Sequence, residues 1–211
     1  KLIGPEKIIS MAQKFGFGSK TGIDLPSELA GFVPTVDWKK KEFGNKWSLG
    51  DTFNLSIGQG FLLCTPMQLS RFITAIATNG KLYTPKIAKS KTDYIQLALN
   101  NDHINFLKEA MHSTVNILGG TGYSAKLSHN EIDLAGKTGT AQVVAKKNTE
   151  DDLRRSDIAW TRRNHAIFTG YSPSENPRYS VTVYYDHGGG GGKAAAPIAK
   201  TIIEKILETY L

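Results

Sequence analysis

Apolar side chains recur at helical spacing in four parts of the chain and predict four helices. The first runs from Pro5 to Phe15, and the second begins at Thr65-Pro66 and stops before Asn79-Gly80. A third extends from about Asp102 to Asn116, and Pro197 opens a terminal helix. A period of about 3.6 residues keeps one face of each helix apolar, as expected for helices that cover a core.

Extended stretches rich in β-branched and aromatic residues follow the third helix and predict three strands: Leu134 to Val144, Ala166 to Tyr171, and Tyr179 to Tyr185. The turn-forming run from Ser172 to Pro177 joins the last two, and it is short enough that they should pair antiparallel. Antiparallel strands flanked by helices make an α+β fold.

Two glycine-rich stretches show neither the helical spacing of apolar residues nor the pattern of a strand. From Gly16 to Gly60 the chain is dense in glycine, proline, serine and aspartate, and we expect a long ordered loop region there. The glycines from Gly188 to Gly192 stand between a strand and a helix, which favours a tight connection over an interdomain linker. Residues 1–211 are therefore expected to lie within one domain.

The composition is that of a globular protein, with 40% hydrophobic and 21% charged residues. The formal charge of +7 is concentrated at Lys39-Lys40-Lys41 and from Lys146 to Arg163, which we interpret as solvated loops. No basic face with interleaved aromatic residues accompanies this charge, so no nucleic acid partner is expected. An acidic polymer or a membrane surface remains an alternative anionic partner.

Residue types also limit the cofactor chemistry. Cys64 is the single cysteine, so neither an intrachain disulfide nor a cysteine metal cage is available. The histidines show no zinc-ligand spacing, and the sequence therefore predicts no metal and no cofactor. They stand at His103, His112, His129, His165 and His187.

The string from Ala135 to Val144 carries the most chemical information, because a charged lysine stands between glycines on an otherwise small or apolar strand. Such a strand can bind a carboxylate: Lys137 supplies a point charge, Thr138 a hydroxyl donor, and Gly139 has no Cβ to block a ligand alongside. The backbone N–H of Thr140 would then point at a developing oxyanion. An ordinary edge strand protected by a lysine remains an alternative.

Other strings match catalytic motifs only in part. Lys20-Thr21-Gly22 repeats the tripeptide, but within a turn-rich loop, so we assign it no role in the site. Gly136-Lys137-Thr138 matches the end of a phosphate-binding P-loop, yet the required earlier glycine is Glu131. The chain contains no Gly-x-Ser-x-Gly elbow of the triad hydrolases.

A Lys-Thr-Gly strand is one of three motifs shared by penicillin-binding proteins and serine β-lactamases, beside Ser-x-x-Lys and Ser-x-Asn. Further strings make the chain resemble the class B penicillin-binding proteins, and within them the penicillin-binding protein 2 family of cell-elongation transpeptidases. The resemblance covers nearly the whole chain, in order. The strings are Phe15 to Pro26, Trp47 with Gly50 to Thr52, Asn54 to Gly60, Thr65 to Leu69, His165 to Tyr171, and the glycine run followed by Ala194 to Pro197.

This resemblance implies the penicillin-binding-protein and serine β-lactamase-like transpeptidase fold, present here only in part. It also implies an enzyme that attacks the D-Ala-D-Ala end of peptidoglycan stem peptides through an acyl-serine and is a target of β-lactams. Lys137 and Thr140 would be catalytic, through positive potential and half of the oxyanion hole, whereas Thr138 and Gly139 would bind the carboxylate. Ser56, Gln59 and Gly60 are further candidates for shaping the substrate site, and the alternative is a loop structured by glycine turns.

The nucleophile is not among these residues, because no serine in the sequence has a lysine three positions later. Ser128-His129-Asn130 fits Ser-x-Asn as a string, but in the family that motif precedes the region resembling Phe15 to Pro26. We expect both true motifs to fall before Lys1, and we expect the 211 residues alone to be inactive.

Two alternatives to the transpeptidase remain: a non-catalytic penicillin- or peptide-binding sensor module of the same fold, and a secreted β-lactamase. The β-lactamase is disfavoured because Trp47 to Gly60 and Gly188 to Pro197 resemble the transpeptidases. The resemblance further implies a membrane glycan polymerase as partner. It places the family at the bacterial inner membrane, with the catalytic domain in the periplasm.

Overall fold

The computed structural model describes residues 3–88, 91–129, 131–143 and 159–210. The chain divides into two compact units. The first unit comprises Lys1–Ala75 with Lys81–Leu97, and the second comprises Ile76–Gly80 with Ala98–Leu211. Within the described ranges, none of the helices has both the length and the apolar character needed to cross a membrane.

The first unit contains the helices and the small hairpin of the N-terminal half. Its elements are α1 (Pro5–Lys14), α2 (Val36–Phe43), α3 (Leu49–Ser56), α4 (Pro66–Ala77, whose last two residues belong to the second unit), β1 (Lys81–Tyr83) and β2 (Tyr94–Gln96). The helices α1 and α4 confirm two of the predicted helices. The antiparallel hairpin of β1 and β2 was not predicted.

The prediction of a loop region from Gly16 to Gly60 is wrong in one respect, because the helices α2 and α3 lie within that range. Both helices begin at a side-chain cap: Thr35 Oγ1 accepts from the backbone N–H of Trp38, at 3.1 Å, and Ser48 with Asp51 forms a reciprocal capping box. Each helix has eight residues, too few to display an apolar period. Lys39, expected in a solvated loop, lies on α2 and pairs with Asp51.

The core of the first unit joins α1, α3 and the loop between α1 and α2. Ile9, Val33 and Leu55 are buried there. Gln68 on α4 is only 2% exposed, and its amide donates to the backbone carbonyl oxygens of Ser19 and Ala30, at 2.8 and 2.7 Å. A buried amide that satisfies loop carbonyls holds the irregular backbone in one arrangement.

The second unit is a three-stranded antiparallel sheet with helices packed on it. Its elements are α5 (Asn101–Asn116), β3 (Ala135–Ala141), β4 (His165–Ser172), β5 (Tyr179–Tyr185) and α6 (Gly191–Tyr210), with single 3-10 turns at Tyr123–Ala125 and Trp160–Arg162. The antiparallel pairing of β4 with β5 confirms the prediction for the last two strands, and β3 pairs with the other side of β4. Val144, predicted as the end of the first strand, lies outside the described residues.

The core of the second unit lies between the sheet and α6. The strands contribute Phe168 and Val183, which stand opposite each other in the register of β4 and β5. From α6 come Ala199 and Ile203, both fully buried, so the apolar face of the terminal helix packs on the sheet as predicted. Val115 of α5 joins the same cluster.

The terminal helix begins at Gly191, not at Pro197 as the sequence predicted. Glycine is a poor helix former, so the glycine run indicated a connection rather than a first turn. A Cβ on Gly191 would lie 2.5 Å from Gly139 O and 3.0 Å from Gly139 N, and it would also collide with Ile167 O. Only glycine lets the first turn approach the strand backbone this closely. The run lies inside the second unit, with Gly191 and Gly192 in the first turn of α6.

Replacing Gly191 by alanine should therefore destabilise the second unit by about 1–3 kcal/mol, because the added methyl group meets backbone atoms that cannot rotate away. Urea unfolding followed by circular dichroism measures this loss. The control is Lys193→Ala, two residues further along α6 at an exposed position, which should leave the unfolding free energy nearly unchanged. Equal stability of Gly191→Ala and the wild type would contradict the close approach.

A polar cluster around Asp133 anchors the start of β3. Its carboxylate accepts from the backbone N–H and the hydroxyl of Ser174, at 2.9 and 2.7 Å, and lies 2.8 Å from Nε2 of His112 on α5. Its carbonyl accepts from the Ser172 hydroxyl at 2.7 Å. Partial burial acts to raise the pKa of Asp133, but the Ser174 hydrogen bonds and the nearby His112 outweigh it and hold that pKa below its usual value.

Ser174→Ala should lower the free energy of unfolding by about 1 kcal/mol at neutral pH, since one hydrogen bond to the carboxylate is lost. A carboxyl group with a depressed folded-state pKa contributes stability above its unfolded pKa of about 3.9, and this contribution disappears as the pH falls through the lower folded value. The difference between wild type and variant should therefore shrink in acid. A difference that stays constant from neutral pH into acid would show that the carboxylate is not involved. Thr209→Ala, which removes an exposed hydroxyl bonded within its own helix, is the control.

Candidate active site

The predicted Lys-Thr-Gly residues lie on β3, at one edge of the three-stranded sheet. β4 pairs with one side of β3, with Lys137 opposite Thr169 and Gly139 opposite Ile167. In the part of the chain that the structure describes, no strand pairs with the other side of β3. An edge of this kind can receive an extended peptide alongside the strand.

Lys137 and Thr138 supply two kinds of donor on this edge strand. The Lys137 side chain is exposed, and its ammonium donates to the Thr138 carbonyl oxygen at 2.9 Å. The Thr138 side chain is half-buried, and its hydroxyl donates to Thr121 Oγ1 at 3.2 Å. A charged donor beside a hydroxyl donor is a suitable pair for an incoming carboxylate.

Gly139 lies where the strand meets two neighbours. A Cβ at this position would stand 3.3 Å from Ile167 Cβ, tighter than ordinary packing, and Gly191 of α6 approaches its backbone from the helix. Thr140 follows as an exposed residue opposite Ala166. The glycine thus allows the strand, its neighbour and the helix to meet without a side chain between them.

The contact between Thr121 and Thr138 was not predicted. Thr121 follows the glycine pair after α5, and a Cβ on Gly192 would collide with its carbonyl oxygen while lying 3.8 Å from Thr138 Cγ2. Ser124 in the next turn donates its hydroxyl to the Gly192 carbonyl oxygen. The start of α6 and the turn after α5 therefore both pack against the Thr138 side chain. In the sequence, Gly119-Gly120 indicates only that the preceding helix ends there.

The first copy of the tripeptide lies in a loop, as predicted, and it already binds a carboxylate of the same chain. Thr21 donates its backbone N–H and its hydroxyl to Glu28 Oε1, at 2.7 and 2.5 Å, and Gly22 N–H donates to Glu28 Oε2 at 3.1 Å. Desolvation acts to raise the pKa of Glu28, but these hydrogen bonds outweigh it and lower that pKa. The donors of Thr21 and Gly22 are thus used within the fold.

The remaining predicted site residues belong to the first unit, whereas β3 belongs to the second. Ser56 ends α3 and donates its hydroxyl to the Phe53 carbonyl oxygen, at 2.7 Å. The Gln59 backbone N–H donates to the Asn54 carbonyl oxygen at 2.8 Å, and Gly60 has a positive φ of 80°. These contacts describe a tight turn after α3, and a role of Ser56, Gln59 and Gly60 in substrate binding stays a prediction.

Two other predicted strings fall partly outside the described residues. Asn130, the last residue of the Ser-x-Asn string, lies outside the described residues. The first residue of that string, Ser128, is described, and its backbone N–H donates to Glu204 Oε1 at 2.8 Å. Residues 146–158 of the basic stretch and Lys1 also lie outside.

Comparison with known proteins gives consistent matches. The family model described as "Penicillin binding protein transpeptidase domain" matches residues 1–204. The chain is 33% identical to the peptidoglycan D,D-transpeptidase MrdA of Haemophilus influenzae, over 99% of this chain and 34% of that protein. It is 30% identical to MrdA of Escherichia coli K12, over 98% of this chain and 33% of that protein. The chain thus spans about a third of the length of these relatives.

Solved structures match in the same way. Penicillin-binding protein 2 of Helicobacter pylori, in its complex with MreC, superposes with a TM-score of 0.86 at 36% identity, over 99% of this chain and 37% of that chain. Penicillin-binding protein 2 of Pseudomonas aeruginosa, in complex with WCK 5153, gives a TM-score of 0.80 at 28% identity, over 97% of this chain and 44% of that chain.

Proposed function

The chain belongs to the penicillin-binding protein transpeptidase family, whose model matches residues 1–204. From this membership we propose that the full-length protein is a peptidoglycan D,D-transpeptidase of the penicillin-binding protein 2 type. The resemblance to class B penicillin-binding proteins and the α+β transpeptidase fold, present here in part, are both confirmed. The observation that carries the proposed activity is the position of β3, the strand that contains Lys137, Thr138 and Gly139, at an edge of the sheet that has no partner strand among the described residues.

In the proposed reaction a serine hydroxyl attacks the carbonyl carbon of the D-Ala-D-Ala peptide bond. A base takes the hydroxyl proton, the carbonyl oxygen becomes an oxyanion, and the C–N bond then breaks as the departing D-Ala amine gains a proton. The resulting acyl-serine ester is attacked by an amine of a neighbouring stem peptide, which releases the serine. This sequence divides one difficult acyl transfer into two easier steps.

The residues of this chain would act on the substrate rather than attack it. Lys137 places a positive charge near the terminal carboxylate, and the hydroxyl of Thr138 donates a hydrogen bond to that carboxylate. Gly139 lets the peptide lie against the strand, and the backbone N–H of Thr140 stabilises the oxyanion. We propose that the serine and its base come from the rest of the full-length protein, since no Ser-x-x-Lys occurs in these 211 residues.

The first copy of the tripeptide supports this assignment of donors. There the hydroxyl of Thr21 and the backbone N–H groups of Thr21 and Gly22 already surround the Glu28 carboxylate within one chain. The same residue types can therefore bind a carboxylate. On β3 the corresponding threonine contacts Thr121 and no carboxylate of the described residues.

We further propose the ligands and partners that accompany this activity. The substrates are peptidoglycan stem peptides, and β-lactams acylate the same serine. The Helicobacter pylori relative was solved with MreC, and we propose a similar assembly here, together with a membrane glycan polymerase. The protein would be anchored in the bacterial inner membrane with its catalytic domain in the periplasm.

Replacing Lys137 by alanine in the full-length protein should slow acylation by a fluorescent penicillin. The lost charge-assisted contact corresponds to about 2–3 kcal/mol, or roughly 30- to 140-fold in the second-order rate constant. The matched control is Lys20→Ala, the same change in the other copy of the tripeptide, which should leave the rate unchanged. The rate is measured from the increase in covalently retained label with time, after denaturation.

Equal losses from the two substitutions would show that β3 does not carry the carboxylate-binding site. A folded wild-type protein that binds penicillin reversibly but retains no label would instead be the non-catalytic binding module.

A further inference from the structure

Three possible metal ligands meet at one end of the sheet in the second unit. His165 is the first residue of β4, and Asp186 and His187 follow the last residue of β5. The antiparallel register places Ala166 opposite Tyr185, so the beginning of β4 lies beside the end of β5. The ligand atoms of the three side chains all lie within 4.8 Å of one another.

The contacts of His187 favour the tautomer that a metal requires. Its Nδ1 lies 2.9 Å from the Arg163 carbonyl oxygen, which can only accept, so Nδ1 carries the proton. Nε2 is then the nitrogen with the lone pair, and it lies 3.8 Å from Asp186 Oδ1. Metal-bound histidines typically donate their other ring N–H to a backbone carbonyl or a carboxylate in this way. Two ligands of one zinc ion lie roughly 3–4 Å apart, since each bond is about 2.0–2.2 Å.

His165 adds a second imidazole to the cluster. Its Nδ1 accepts from the His187 backbone N–H at 3.0 Å and also lies 2.6 Å from Asp186 Oδ1. Two ligands of one zinc ion lie farther apart than this, so the Asp186 carboxylate would move outward by about 1 Å to share an ion with the imidazole. The Asp186 side chain is 55% exposed, so an ion can enter from solvent.

Neighbouring aromatic rings hold the ligands in place. The Trp160 ring packs edge-on against His187, with centroids 4.5 Å apart, and the Tyr184 ring lies 5.2 Å from His165. The Tyr184 hydroxyl donates to Asp186 Oδ1 at 3.3 Å. The histidine side chains retain only 22% and 15% exposure. Supporting contacts of this kind reduce the reorganisation needed to bind an ion.

We propose that His165, Asp186 and His187 bind one Zn²⁺ ion or a similar borderline divalent cation, with a fourth position open to water. Two imidazoles and one carboxylate suit zinc, whereas Mg²⁺ and Ca²⁺ prefer an all-oxygen shell. The histidines are separated by 22 positions, which is why no zinc-ligand spacing is visible in the sequence. This proposal does not depend on the transpeptidase activity.

A bound ion would tie the start of β4 to the end of β5, just before the glycine run. In that corner the Gly188 backbone N–H donates to the Tyr185 carbonyl oxygen, and the Gly189 N–H donates to the Asn164 carbonyl oxygen at 2.7 Å. The run then leads to Gly191, where α6 contacts β3. Zinc should therefore stabilise the second unit, because a ligand that binds only the folded state raises the unfolding temperature.

Zinc binding to the purified full-length protein, measured by isothermal titration calorimetry with Zn²⁺ alone, tests the proposal. The wild type should bind one equivalent more than Asp186→Asn and His187→Asn, and excess Zn²⁺ should raise its unfolding temperature more than theirs. Asparagine suits position 187 because it tolerates the positive φ of 52° found there. The matched control is His103→Gln, an exposed histidine on α5, which should bind zinc like the wild type.

In the same titration with Mg²⁺, the wild type and the two site variants should bind the same number of equivalents. Asp186→Asn changes a half-exposed side chain without changing its shape, so it remains informative if the His187 variant fails to fold. Zinc stoichiometry equal in the wild type and in Asp186→Asn, or no binding by the wild type, would overturn the proposal.

Discussion

The contact between the first turn of α6 and the backbone of β3 and β4 is the constraint on which the candidate site depends. Gly191 approaches Gly139 and Ile167 so closely that no Cβ can be accommodated. This contact fixes where the helix begins, and from there Ala199 and Ile203 reach the core beneath the sheet. It also holds β3 from one face, so that the strand can present Lys137 and Thr138 at an edge that pairs with no other described strand.

The two copies of Lys-Thr-Gly show how context decides what one tripeptide does. In the loop copy, Glu28 lies seven residues after Thr21 and occupies the donors of Thr21 and Gly22 from within the chain. In the strand copy, β4 pairs with the strand and α6 packs against its backbone, and the threonine hydroxyl contacts only a neighbouring hydroxyl among the hydrogen bonds described for it. A donor set that is already satisfied contributes to the fold, whereas one held at an open edge is suited to an external carboxylate.

Much of the second unit could be predicted from the sequence, because its elements are long enough to display a period. The alternation in Tyr179–Tyr185 and the short turn before it determine an antiparallel pair, and the resemblance then identifies β3. The short helices α2 and α3 could not be found by period, because their start is encoded in local caps such as Ser48 with Asp51. The glycine start of α6 and the cluster of His165, Asp186 and His187 depend on tertiary contacts between distant positions, which no local pattern records.

The most direct test of the account is a crystal structure of the full-length protein acylated by a penicillin, because the carboxylate of the drug marks where the substrate carboxylate binds. We expect that carboxylate within hydrogen-bonding distance of Thr138 Oγ1 and close to the Lys137 ammonium, with the ester carbonyl oxygen accepting from Thr140 N–H. An acyl-enzyme in which the drug carboxylate is bound away from β3, with no contact to Lys137 or Thr138, would contradict the central assignment.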